Sequence, residues 1–175
     1  PLDHAAVTIS PDGEVLVGCP RMLGYVGRER PAAGAWATGD LGTLDAEGRL
    51  RIQGRRRNVF ITAYGRNVSP EWVEAELLQH AAIAQAAVYG EARPWNVAVI
   101  VPARPDLAAS AIDRAVEAVN AGLPDYARIG AWIRAASHFH GGNGLATAKG
   151  RPCRAPSWQR HAAELNRLYE SATIS

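Results

Sequence analysis

The sequence is poor in cysteine and almost without lysine. Its two cysteines, Cys19 and Cys153, lie far apart and form no CxxC pair. This spacing indicates neither a disulfide framework nor a zinc site. It favours a reducing compartment, which we expect to be the cytoplasm, with peripheral attachment to a membrane left open. Of the 19 basic residues only one, Lys149, is a lysine.

Long apolar runs and several catalytic motifs are also missing. No apolar stretch is long enough to span a membrane, and the first residues do not resemble a secretory signal. The net charge of +2 is too small to predict a nucleic acid partner. The motifs GxSxG, HExxH and GxxxxGK(S/T) are absent, which argues against serine hydrolase, zinc protease and P-loop chemistry.

The residues that are present predict a folded α+β protein. The chain has 175 residues, of which 47% are hydrophobic and 21% charged, so it can bury a core. The first 55 residues predict only strands joined by tight turns, typical of the tail of a larger β-rich domain. From residue 58 onward the pattern predicts a compact unit with a small sheet and helices. The predicted helices span residues 70–80, 105–121 and a last segment capped by Ser157, and the predicted strands span 83–89, 95–101 and 132–133.

The stretch from residue 54 to residue 74 combines features suited to a phosphorylated ligand. Three consecutive arginines, residues 55–57, precede a short strand and a turn at Gly65. Ser69 and Pro70 then predict an N-cap and the first residue of a helix. Arginines beside glycine turns and a helix N-terminus favour anion binding. A solvated basic turn is an equally consistent interpretation.

Two further segments carry candidate binding residues. Asp40, which follows Thr38 and Gly39 at a strand end, could accept hydrogen bonds from the two hydroxyls of a ribose. An aspartate-stabilised turn is the alternative. Residues 147–154 place Lys149, Arg151 and Arg154 on a loop that we expect to be mobile and able to reach an anion. A solvated basic loop is again the alternative.

The histidines and tryptophans predict less. His138 and His140 would share one face of a strand, but no third ligand lies nearby, so we predict no metal site. Four tryptophans fall within apolar patterns and are interpreted as packing residues: Trp72, Trp95, Trp132 and Trp158.

Together these segments resemble the C-terminal part of the acyl-adenylate-forming (AMP-binding) superfamily. Residues 13–17 with Gly24 and Tyr25 resemble its GExxV…GY block, and residues 36–40 resemble its WxTGD block. The stretch that ends in Asn67-Val68-Ser69-Pro70 resembles its hinge block, which runs from a GR pair to NVSPxxVE. The NVSP variant is most similar to long-chain fatty-acid–CoA ligases.

The resemblance implies a reaction in two halves, with ATP, Mg²⁺ and coenzyme A as cofactors of the intact enzyme. ATP and a carboxylic acid give acyl-AMP and pyrophosphate, and a thiol then displaces AMP. Asp40 would bind the ribose with support from Arg55 and Thr38, and Arg57 would be the hinge. The thiol would approach along a channel lined by Tyr64, Gly65 and Arg66.

The last block departs from the family pattern TxxGKxxR. Aligned on Thr147, Gly150 and Arg154, the position of the catalytic lysine is Arg151, and Lys149 falls two residues earlier. An arginine fork and a lysine ammonium are not interchangeable. Three interpretations follow. Arg151 takes the catalytic role, which the alignment slightly favours; Lys149 takes it; or neither does so fully and adenylation is weakened.

The resemblance also implies a division of the chain and a partner. Residues 1–55 would end an N-terminal domain, residues 56–57 would be the hinge, and residues 58–175 would form a lid domain. We expect this segment alone to bind no cofactor and to be inactive without the rest of its N-terminal domain. Two alternatives remain, a non-catalytic binding domain and a ligase that delivers a fatty acyl group to a carrier-protein thiol. Arg56 is left as a solvated charge.

Overall fold

The computed structural model describes residues 5–18 and 34–171. Cys19 and the Gly24–Tyr25 pair of the GExxV…GY block lie outside these residues. The chain divides into two compact units, Pro1–Val59 and Phe60–Ser175. No helix in the described part of the chain is long and apolar enough to cross a membrane.

The first unit is a four-stranded antiparallel sheet in the order β1-β2-β3-β4. Its strands are β1 (Ala6–Ile9), β2 (Glu14–Gly18), β3 (Trp36–Leu44) and β4 (Leu50–Arg55). β3 is one continuous strand of nine residues. A shift in register between Leu41 and Gly42 keeps the pairing with β4. Gly42 is required because a Cβ there would lie 2.7 Å from the carbonyl oxygen of Arg51.

A short connection joins the sheet to the second unit. A single turn of 3-10 helix, Arg56–Asn58, follows β4, and β5 (Phe60–Ile61) then pairs with β6 (Asn67–Val68). Helix α1 (Pro70–Leu77) begins at Pro70, as predicted. Ser69 stands at the N-cap position, but its hydroxyl makes no hydrogen bond to the helix backbone and instead donates to Glu71 at 3.5 Å.

The second unit is built on a three-stranded sheet with helices on both faces. The sheet contains β7 (Ile83–Tyr89), β8 (Asn96–Pro102) and β9 (Ile129–Arg134), in which β7 and β8 are antiparallel and β8 and β9 are parallel. Helix α2 (Ala109–Gly122) connects β8 to β9, and α3 (Arg154–Ser171) ends the unit. The predicted α+β fold is confirmed.

Alternate residues of the sheet face two separate cores. Val88 and Ile100 pack with α1 and α2, whereas Val97 and Val99 pack with Leu165 of α3 on the opposite face. Because both faces are covered, β7 and β8 are apolar at most positions rather than at every second one, with Gln85 and Asn96 as the polar residues. The four tryptophans at 72, 95, 132 and 158 pack against these cores, as predicted.

The start of the last helix differs from the prediction. Helix α3 begins at Arg154, and the Ser157 N–H already donates to the carbonyl of Cys153 at 3.0 Å. Ser157 is therefore fully buried inside the helix and is not its N-cap. Pro156 lies in the first turn of α3, where proline is tolerated. Residues Gly141–Asn143 form a 3-10 turn.

Candidate functional site

Three of the predicted nucleotide residues form one cluster in the first unit. Asp40 of β3 lies directly opposite Arg55 of β4, and Arg55 Nε contacts Asp40 Oδ1 at 2.8 Å. Arg55 Nη1 also donates to the carbonyl of Thr38 at 3.3 Å. The Asp40 and Arg55 side chains keep 26% and 42% of their surface exposed. We call Thr38, Asp40 and Arg55 the carboxylate cluster; it presents an accessible anion held by one arginine.

The backbone of β3 sets the direction of this carboxylate. The Thr38 hydroxyl donates to the carbonyl of Val15 at 2.8 Å and accepts the N–H of Asp40 at 3.1 Å. Gly39 has φ +74°, a conformation that favours glycine. Its N–H donates to Glu14 Oε1 at 2.9 Å, so a buried carboxylate of β2 holds the peptide that leads into Asp40.

Arg56 is ion-paired, which the interpretation as a solvated charge did not include, although 56% of its side-chain surface stays exposed. Its Nη1 contacts Glu14 Oε2 at 2.5 Å, and its Nη2 contacts Asp12 Oδ2 at 2.7 Å. The Ser10 hydroxyl donates to Asp12 at 2.6 Å and is the main cause that lowers the pKa of that carboxyl, with a smaller contribution from Arg56. We call Asp12, Glu14 and Arg56 the Arg56 cluster. In the sequence, the only indication of this cluster is the presence of Asp12 and Glu14 on either side of a turn glycine and of three consecutive arginines at residues 55–57.

The predicted hinge residue Arg57 lies in the 3-10 turn and is exposed. The two compact units meet in sequence at Val59 and Phe60, two residues after it. Its role as a hinge stays a prediction.

The residues predicted to line a thiol channel form the turn between β5 and β6. The Gly65 N–H donates to Thr62 O at 3.0 Å, and the Thr62 N–H donates to Arg66 O at 2.9 Å. Gly65 has φ +72°, and a Cβ there would meet nothing within 4 Å, so backbone conformation accounts for the glycine inside this unit. Tyr64 is 75% exposed, and the Arg66 guanidinium lies 5.8 Å from the centre of the Tyr126 ring.

The segment predicted to be a mobile basic loop is a hydrogen-bonded turn. The Gly150 N–H donates to Thr147 O at 2.9 Å, and the Thr147 N–H donates to Arg151 O at 2.8 Å. Gly150 adopts φ +77° and closes the turn. Lys149 stands at the tip of the turn and Arg151 follows after Gly150; both side chains are exposed. We call residues 147–151 the basic turn.

Arg154 does not belong with these exposed cations. Its guanidinium forms a two-pronged contact with Glu74 of α1, between Nη1 and Oε1 and, at 2.9 Å, between Nη2 and Oε2. The Val88 N–H also donates to Glu74, at 2.8 Å. Burial raises the pKa of Glu74, while the hydrogen bond from Arg154 opposes that shift. Arg154 therefore anchors the chain just after the basic turn. Of the three cations predicted on this segment, Lys149 and Arg151 are the two that are exposed and can approach an anion.

The described residues offer oxygen acceptors and cations but no metal cage. Among them, no group of three histidine, cysteine or carboxylate side chains could hold a metal ion. The accessible carboxylate of Asp40 suits the hydroxyls of a ribose, and the exposed charges of the basic turn suit phosphate or carboxylate oxygens. Nothing in this part of the chain fits a Mg²⁺ site, so no chemical step is assigned to Mg²⁺.

Comparison with known proteins gives one family. The family model described as the AMP-binding enzyme C-terminal domain matches residues 57–173. The long-chain-fatty-acid–CoA ligase FadD15 of Mycobacterium tuberculosis is 39% identical over 106 residues, and the match covers 57% of this chain and 18% of that protein. The 2-succinylbenzoate–CoA ligase of Bacillus velezensis is 43% identical over 91 residues, with 48% and 18% covered. The chain thus spans about a fifth of the length of these relatives.

Solved structures show the same fold. The adenylation domain of a carboxylic acid reductase from Segniliparus rugosus, in complex with AMP and a carboxylic acid, matches with a TM-score of 0.76 at 23% identity, over 98% of this chain and 32% of that one. The o-succinylbenzoate CoA synthetase of Bacillus subtilis, in complex with its acyl-adenylate intermediate, matches with a TM-score of 0.68 at 27% identity, over 89% and 34%.

Proposed function

The chain belongs to the family of AMP-binding enzyme C-terminal domains, and from that premise we propose that it is part of an AMP-forming acyl-CoA ligase. The ligase would join a carboxylic acid to ATP, which gives acyl-AMP and pyrophosphate, and coenzyme A would then displace AMP. The observation that carries this proposal is the carboxylate cluster, because it sets a partly exposed aspartate and a supporting arginine on neighbouring strands. A carboxylate in this position has acceptor oxygens for two vicinal ribose hydroxyls.

The carboxylate cluster supplies the nucleotide contact. Asp40 accepts hydrogen bonds from the ribose, and Arg55 orients the carboxylate through the 2.8 Å contact to Oδ1. Thr38 fixes the strand through its bond to Val15. None of these residues is placed to transfer a proton; they bind and orient the nucleotide.

The basic turn supplies the positive charge for adenylation. Attack of the acid on the α-phosphate brings together two groups of negatively charged oxygens, which a nearby cation stabilises. Alignment on Thr147 and Gly150 favours Arg151 for this role, while exposure at the tip of the turn supports Lys149. Arg154 holds the end of the turn through Glu74.

The remaining assignments concern the second half-reaction. We assign Tyr64, Gly65 and Arg66 to the path of the coenzyme A thiol, supported by their exposed turn. We assign Arg57 to the hinge, supported by its place two residues before the end of the first unit at Val59.

Separate replacement of the two cations in the full-length protein tests the proposal. We expect Arg151→Ala or Lys149→Ala to abolish most acyl-AMP formation, while thioester formation from supplied acyl-AMP continues. Arg160→Ala, an exposed arginine of α3, is the matched control and should leave both halves unchanged. If neither replacement lowers acyl-AMP formation, the basic turn has no adenylation role and a non-catalytic domain is the better description.

The acyl substrate is proposed to be a fatty acid. The name of one relative, a long-chain-fatty-acid–CoA ligase, supports this, whereas the other acts on 2-succinylbenzoate. Pyrophosphate release with long-chain fatty acids and with 2-succinylbenzoate, measured side by side, separates the two. Preference for the aromatic acid would contradict the fatty-acid assignment. Acyl transfer to a carrier-protein thiol, but not to coenzyme A, would identify a different acceptor.

A further inference from the structure

The Arg56 cluster lies against the carboxylate cluster and is connected to it by named hydrogen bonds. Glu14 uses both of its oxygens: Oε2 contacts Arg56 and Oε1 accepts the N–H of Gly39. Gly39 is the residue directly before Asp40. Arg56 therefore contacts the side chain that accepts the Gly39 N–H, while the Asp40 N–H that follows donates to the Thr38 hydroxyl.

The position of Glu14 is itself well determined. Glu14 is almost completely buried in the first unit. Its N–H donates to the Ser10 hydroxyl at 2.9 Å, and the Ser10 N–H donates to the Glu14 carbonyl at 2.9 Å. A buried carboxylate needs a charged partner and hydrogen-bond donors, and here Arg56 and Gly39 provide them.

Arg56 reaches the cluster from the end of β4, beside Arg55. Its two terminal nitrogens contact different carboxylates, Asp12 in the turn between β1 and β2 and Glu14 in β2. The planar guanidinium fork reaches the two carboxylates with separate nitrogens, a geometry that a lysine ammonium, with a single nitrogen, does not reproduce. The two consecutive arginines thus make different contacts. Arg55 contacts the Asp40 side chain, and Arg56 contacts Glu14, which accepts the N–H of Gly39 next to Asp40.

We propose that Glu14 and Arg56 are positioning residues for Asp40 in nucleotide binding. They act by fixing the Gly39 peptide so that the Asp40 carboxylate meets the ribose hydroxyls. The inference rests on the proposed function, in which Asp40 is the ribose contact. Neither Glu14 nor Arg56 touches the nucleotide.

The test measures how strongly the full-length protein discriminates ATP from deoxy-ATP, which lacks the ribose 2′-hydroxyl. The readout is the ratio of kcat/KM for the two nucleotides in acyl-AMP formation. A hydrogen bond to a charged group is worth about tenfold or more in affinity, so Asp40→Asn should remove most of the discrimination. Arg56→Gln and Glu14→Ala should lower the ratio by about tenfold toward the value of Asp40→Asn.

Conservative and control variants separate positioning from general damage. Glu14→Gln keeps an acceptor for Gly39 but loses the charge pair, and Arg56→Lys keeps the charge but loses the fork, so both should give intermediate ratios. Both changes also keep most of the side-chain volume. If Arg56→Gln fails to fold, the ratio of kcat/KM measured for these two variants replaces it as the test. Arg49→Gln is the matched control, because Arg49 also contacts two carboxylates, Asp45 and Glu47, at the far end of the β3–β4 hairpin. Its ratio should equal that of the wild type.

The outcomes distinguish this inference from the function on which it rests. If Asp40→Asn lowers the ratio but the Glu14 and Arg56 variants keep the wild-type ratio, the positioning role is wrong and the nucleotide contact stands. If Asp40→Asn keeps the ratio as well, the ribose contact is wrong and the inference is overturned with it. Addition of Arg56→Gln to Asp40→Asn should change the ratio little further, since both act on one contact. Additive loss would also overturn the proposal.

Discussion

Glu74 and Arg154 form an ion pair across 80 residues of sequence, with 7% and 24% of their side-chain surfaces exposed. From the sequence, Glu74 is an acid in the first turn of a helix and Arg154 is one of three cations on a loop. Both interpretations are local, and neither could reveal the pairing, because it forms only when α1 and α3 are brought to the edge of β7.

This pair predicts a difference between two neighbouring acids. Glu74→Ala leaves the Arg154 guanidinium partly buried without its main partner, and we expect a loss of about 3 kcal/mol in the free energy of unfolding. Glu71 lies 3.5 Å from Arg154 and is more exposed, so Glu71→Ala should cost less than about 1 kcal/mol. Denaturant titration of both variants measures this. Equal losses would show that burial of the pair contributes no extra stability.

The three residues predicted to bind the nucleotide lie together, and their role as nucleotide ligands stays a prediction. Thr38, Asp40 and Arg55 could be singled out because they fall in blocks that resemble the AMP-binding family, and the structure places Asp40 opposite Arg55 on neighbouring strands. Glu14 and Arg56 could not, since their contacts depend on the side-chain directions of β2 and on the turn after β4. Local chemistry was visible in the sequence, whereas pairing between distant charges was not.

At the scale of elements, the end of β7 is fitted closely to β8. A Cβ on Gly90 would lie 2.2 Å from Asn96 Oδ1 and 2.7 Å from the Phe60 ring. Asn96 is fully buried, and its amide donates to Tyr126 O at 3.0 Å and Arg128 O at 3.1 Å. The glycine thus lets one asparagine join β8 to the turn before β9.

The close fit predicts that Gly90→Ala is destabilising. Displacement of a buried asparagine and a core phenylalanine should lower the free energy of unfolding by about 2 kcal/mol or more. Gly122→Ala is the control, because its Cβ would enter open space at the end of α2. That change should be neutral or stabilise by up to about 1 kcal/mol. Thermal unfolding of both variants measures the difference, and an unchanged midpoint for Gly90→Ala would contradict the packing described here.

Elements with a strong apolar pattern could be predicted, and their ends could not. The span of β7 is as predicted, because apolar residues fill six of its seven positions. The first turn of α3 was missed because serine is a favoured N-cap residue, whereas Ser157 is the fourth residue of the helix. Helix α2 starts four residues later than predicted, at Ala109.

At the scale of the whole molecule, the second unit contains both of its cores. All members of the two apolar cores fall between Phe60 and Tyr169. The match to the family model covers the same region, residues 57–173. The division into a first domain of residues 1–55, a hinge at residues 56–57 and a second domain of residues 58–175 stays a prediction.

We therefore expect residues 58–175 to fold when produced alone. The isolated segment should show the circular dichroism of a mixed α and β protein and a single cooperative unfolding transition. Phe60 provides a matched comparison, because a segment that starts at residue 62 lacks this core side chain together with β5 and should be less stable. Gradual unfolding of the 58–175 segment would show that its stability depends on the first unit.

The lysine at the tip of the basic turn provides a single site for amine-reactive labelling within this segment. Lys149 carries the only ε-amine in the sequence, and the turn exposes it. An amine-reactive fluorophore would therefore attach to one defined side chain within this segment, beside Arg151. Its emission would report the surroundings of that turn directly, without any engineered cysteine.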